Sequence, residues 1–168
     1  MTTLILRFAH VFFAALWVGM MAYQVFILMP ALTEAGPDAG KVMGSMMRRR
    51  IPLVMLVIAL IAIISGTWLF MRMMGGDPRA FMQTPMGKAF GWGGTAAIVG
   101  FLLGIFVVRP AMMSSVKLSE SLAAAPPEER VRRQAEIQRL RARGAVMGRV
   151  VTVLLLIALG LMAVARYL

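Results

Sequence analysis

Arg7, His10, Ala14, Trp17, Met21 and Gln24 recur at spacings of three and four. On a helix they fall on one stripe, which carries every strongly polar residue of that segment. Polar and ionisable groups are expensive in lipid, so the stripe should face the interior of a helical assembly. His10 is the only histidine of the chain. Its neutral imidazole suits two tasks, ligation of haem iron or copper or a hydrogen bond to another helix. Lys88 stands at the mouth of a later apolar segment. There it either snorkels to the surface or partners a haem propionate, or even serves as an axial ligand. Met71, Met73, Met74, Met82 and Met86 fall within 16 residues, in a chain with 17 methionines. Thioethers are soft ligands that select Cu(I). Methionine is also a routine packing residue. The turn Gly75-Gly76-Asp77-Pro78 would fold the two halves of this methionine loop together. Arg7, His10, Trp17 and Lys88 are thus the candidate cofactor residues, with haem b or copper as the cofactors, and the five methionines are the candidate metal ligands.

Other chemistry has little to stand on. Cysteine is absent, which removes disulfides, thiolate metal sites and cysteine nucleophiles. A single histidine argues against a zinc site or a Ser-His-Asp triad. No carboxylate lies within an apolar segment, where a proton or cation pump normally needs one. Gly91, Gly93 and Gly94 are followed by no Gly-Lys-Ser or Gly-Lys-Thr, so no phosphate loop is present.

The elements that must hold these residues follow from apolar length. The 168 residues are 60% hydrophobic, with a mean hydropathy of +0.81, too apolar for a soluble domain. A membrane span needs about 20 mostly apolar residues. Four are expected, at about 8–29, 51–70, 89–108 and 145–165, within a single membrane domain covering 1–168. The first should stop at Pro30 and the third at Arg109-Pro110, while Pro52 fits the first turn of the second. The first span is too long for a signal-peptide core and is read as retained. Gly100-x3-Gly104 and Gly144-x3-Gly148 have the spacing that lets membrane helices approach closely.

The net charge of +11 is unevenly spread. Thirteen of the eighteen Lys and Arg residues fall in the first and third loops, including Arg48-Arg49-Arg50 and seven arginines from Arg130 to Arg149. The positive-inside rule puts those loops in the cytoplasm, against anionic lipid, and both termini outside the cell (inner) membrane. The charge is read as membrane contact, not nucleic-acid binding. Between the last two spans, 111–144 should form a cytoplasmic helical hairpin that turns at Pro126-Pro127, with Glu128-Glu129 opening the second arm. Val131, Ile137 and Leu140 would face Met113, Val116 and Leu122, and the arm would project roughly 20–30 Å. The expected fold is all-α: a polytopic membrane protein with four transmembrane helices in an antiparallel bundle, helices 3 and 4 extended by that hairpin.

Arg7-Phe-Ala-His-Val-Phe-Phe-Ala-Ala-Leu-Trp-Val-Gly19 resembles the "H, six residues, W-hydrophobic-G" opening of the copper-resistance D (CopD)-like membrane proteins and the related HemJ-type protoporphyrinogen oxidases. Pro30, the basic run before the second span and Ser65-Gly66-Thr67 also fit, over about the first 110 residues. The resemblance implies a four-helix membrane fold. In HemJ-type proteins the first-span histidine and a lysine opening a later span are associated with haem b, roles that would fall on His10 and Lys88. The functional expectation is a CopD-like, non-catalytic structural or accessory subunit, packed against other membrane subunits or further copies of itself. The alternative is a haem- or copper-binding redox or transport protein using His10 with Lys88 or the methionines.

Overall fold

The computed structural model describes residues 1–36, 39–122 and 126–168. Every regular element among them is helical. Four continuous helical segments, Thr2–Glu34, Ile51–Met74, Pro85–Ser121 and Pro127–Tyr167, are long and apolar enough to cross a membrane. Phe8, Trp92 and Phe106 point outward, exposed. A monomeric soluble surface does not carry such a belt; lipid is the solvent it suits.

The first and third segments run past the prolines that were expected to end them. Helix α1 (Thr2–Tyr23) passes through a π turn, Gln24–Leu28, into α2 (Met29–Glu34). After α3 (Ala39–Arg48), α4 (Ile51–Met74) and α5 (Pro78–Gln83), helix α6 (Pro85–Leu103) does the same, through a π turn at Gly104–Val108 into α7 (Arg109–Ser121). The physical reason is local. Pro30 and Pro110 lack an N–H and crowd the carbonyl four residues earlier, on Phe26 and Phe106. The wide turn just before each proline opens the helix there, and its ring closes from Met29 N–H to the Gln24 carbonyl and from Arg109 N–H to the Gly104 carbonyl. The two stretches share a pattern, Val25-Phe-Ile-Leu-Met-Pro-Ala31 and Ile105-Phe-Val-Val-Arg-Pro-Ala111. One structural device is used twice.

Helix α1 packs chiefly on α4, and α6 on α8 (Pro127–Val164), with α1 also touching α8 and α4 touching α6. Small residues set these approaches. Gly93 lies against Met162 and the Ala158 carbonyl, Gly100 against Leu155, Gly148 against Val25 and Gly144 against Ala111. Of the two GxxxG pairs, only Gly104 meets nothing. The core gathers Trp17, Val18, Met21, Ile58, Val151 and Leu155. Arg72 donates to the Thr3 hydroxyl at 3.0 Å, tying the end of α4 to the start of α1. The opposite end is basic. There α3 returns to α4 through Arg50, which adopts the left-handed region (φ 55°).

Helices α7 and α8 pack on each other beyond the apolar part. Ile137 is 1% exposed between them, while Arg133 and Arg141 donate to Ser121 and Ser119 of the other arm. Glu128 and Glu129 occupy the first turn of α8, directly after Pro126-Pro127. Val131 departs from expectation: it is 74% exposed and packs poorly on the opposite arm. Ala123–Ala125, expected as the end of the first arm, lie outside the described residues.

Candidate functional site

The stripe on α1 turns inward from His10 onward. Trp17 and Met21 are buried, and His10, Ala14 and Gln24 are half-buried, but Arg7 stays exposed near the start of the helix. His10 Nδ1 lies 2.8 Å from the Ala62 carbonyl oxygen of α4. A carbonyl only accepts, so Nδ1–H is the donor. The ring fits because residue 66 is glycine: a Cβ there would stand 2.5 Å from His10 Cε1 and 2.7 Å from Nδ1. Beside it Ser65 donates to the Ile61 and Ala62 carbonyls of its own helix, at 2.5 and 3.2 Å. Thus Ser65-Gly66 supplies a filled hydroxyl site and an empty notch, and the imidazole occupies the notch.

The other expected cofactor residues stand apart from this contact. Trp17 is a core side chain, 6% exposed and edge-on to Phe101 with ring centroids 6.2 Å apart. Lys88 is exposed in the first turn of α6, and no hydrogen bond joins it to His10 among the described residues. The five methionines are spread over three helices: Met71, Met73 and Met74 on α4, Met82 on α5 and Met86 on α6. Met71, Met73 and Met82 are exposed. The loop between them does fold back. Asp77 caps α5 by accepting from Ala80 N–H at 2.9 Å, and Phe70 meets Phe81 edge-on at 5.9 Å. No group of three or more histidine or acidic side chains that could hold a metal occurs among the described residues.

A second feature went unread in the sequence. Near the basic end, α1, α3, α4 and the α6–α7 helix line an open recess with about 100 Å³ of free space. Its walls are apolar except for Gln24, Arg109 and the indole of Trp17. Both π turns border it, through Gln24 and through Gly104. Arg109 Nε is buried and makes no hydrogen bond, the one such side-chain atom among the described residues. Helix α3 closes one side with Met46 and Met47. The readable signal was the repeated apolar-Phe-apolar-apolar-x-Pro-Ala pattern, since π turns concentrate at functional sites. In the repeat, Met29 of the first copy becomes Arg109 in the second, and Gln24 becomes Gly104.

Compared with protein families, curated proteins and solved structures, the chain matches none.

Proposed function

We propose that this chain is a CopD-like, non-catalytic accessory subunit of a complex in the cell inner membrane. Its four spans form an antiparallel bundle with both termini outside. The α7–α8 hairpin stands in the cytoplasm, where its basic residues meet anionic headgroups and other subunits or further copies of the chain. The observation that carries the reading is the use of the only histidine. His10 spends Nδ1–H on the Ala62 carbonyl in a notch cut by Gly66, a contact that joins two helices. The packed hairpin, with Ile137 sealed inside, supports a rigid arm suited to docking.

The same hydrogen bond favours a second reading, a haem- or copper-binding protein. A histidine whose Nδ1–H is held by a carbonyl presents Nε2 in the state that ligates a metal. An absorption spectrum and metal analysis of protein purified from membranes separate the two. The accessory reading expects no Soret band and no stoichiometric copper, in the wild type and in His10→Gln alike. Haem or copper near one per chain, lost in His10→Gln, would replace it with the second reading.

A further inference from the structure

We propose that the recess beside Arg109 binds one anionic amphiphile, its phosphate or carboxylate held by the guanidinium and its acyl chain lying along the apolar wall.

The charge comes first. Arginine stays protonated under any condition a membrane meets. Here the Nε–H is out of contact with solvent and has no acceptor. Arg109 forms no ion pair or hydrogen bond with any described side chain. Arg109 as a whole is half-buried, but an enclosed Nε–H with no acceptor is costly, and a planar guanidinium matches a phosphate or carboxylate through paired N–H bonds. Gln24, across the recess, offers a second donor of the right kind.

The walls then select what the anion is attached to. Gln24, Arg109 and the Trp17 indole apart, the lining is apolar, with Met21, Met46, Met47, Met55 and Met112 among it. Five thioethers would otherwise suggest Cu(I), but a fixed positive charge in the same space repels a cation. Methionine surfaces adapt to irregular apolar chains. Water is a poor alternative. About 100 Å³ would hold several molecules, yet each needs two to four polar partners, and the walls supply only three polar side chains, Trp17, Gln24 and Arg109.

The repeat points the same way. Both proline-linked π turns solve one backbone problem, and that problem needs neither an arginine nor an open wall. The second copy departs from the first in the two respects a ligand requires. Arg109 replaces Met29, and Gly104 replaces Gln24 where a Cβ would meet nothing. Arg109 also sits where the apolar stretch of α6 ends, on the side of the Arg48-Arg49-Arg50 run, so a lipid of that leaflet brings its headgroup to this depth.

The test uses the full chain, exchanged into phosphatidylcholine micelles and then offered phosphatidylglycerol, oleate or further phosphatidylcholine. Bound molecules are counted by native mass spectrometry. Wild type should retain about one phosphatidylglycerol or one oleate per chain. Preference for the first identifies a phosphate-headed lipid as the source, and preference for the second a free acid. Arg109→Gln should reduce retention about tenfold or more. Gly104→Leu fills the free space while leaving Arg109 in place, and should also lower retention. Arg49→Gln, at an exposed arginine outside the recess, should not. Helicity and elution volume, matched to wild type, separate lost binding from lost fold. Equal retention of phosphatidylcholine, undiminished retention by either Arg109→Gln or Gly104→Leu, or no retention by wild type would overturn the proposal.

Discussion

His10 and Arg109 are polar groups set in apolar surroundings, at opposite ends of the molecule, and they are treated in opposite ways. His10 has a carbonyl at 2.8 Å and a notch shaped to its ring. Arg109 has a buried Nε with no acceptor and empty space beside it. A polar group in a lipid-facing protein is held either by a partner within the chain or by one supplied from outside. The internal acceptor at His10 Nδ1 marks a helix-to-helix fastening. The missing acceptor at Arg109 marks a place for a ligand.

The largest expected effect breaks the fastening. Gly66→Ala would drive a methyl into the imidazole, which can yield only by leaving the Ala62 carbonyl. A loss of about 1–3 kcal/mol is expected, the usual cost of overpacking. His10→Ala should cost about 0.6–2 kcal/mol, the range for interhelical hydrogen bonds in membranes. Unfolding in mixed micelles measures both. The double variant should cost less than the two single losses together, because the clash needs the ring. Additive losses would show that Gly66 and His10 do not act through one another.

Arg109→Met should act in the reverse direction. In zwitterionic, lipid-stripped micelles the change removes an unpartnered donor, and a gain of about 1 kcal/mol is expected. Adding an anionic lipid should raise the unfolding midpoint of the wild type and leave that of Arg109→Met unchanged. A variant less stable than wild type in both conditions would mean that Arg109 is already satisfied within the fold.

The smallest effect contrasts two glycines. Gly104→Ala meets no atom within 4 Å, so helix propensity alone should give a gain of about 0.5–1 kcal/mol. The same change at Gly66 destabilises. If Gly104→Ala were as damaging as Gly66→Ala, the open wall of the recess would be closed in solution.

Much of the architecture was legible in one dimension. Apolar length alone specified four helices long enough to cross a membrane, because a helix needs about 20 apolar residues to cover the hydrocarbon core. Pro52, Pro126-Pro127 and Glu128-Glu129 marked helix starts by local chemistry that tertiary contacts did not override. The three- and four-residue spacing of His10, Trp17 and Met21 identified the inward face of α1. Pro30 and Pro110 misled, because a proline's effect depends on whether the helix can widen ahead of it, and that is decided by what packs around the turn. Nor could spacing alone say which backbone His10 Nδ1 would meet. That answer lay in Gly66 and Ala62, 56 and 52 positions along the chain, which come within reach only when α1 packs on α4. The repeated proline pattern hinted at the borders of the recess at Arg109, but its volume belongs to the tertiary structure: its walls come from separate helices, and an empty volume is a property of how they meet, not of any one of them.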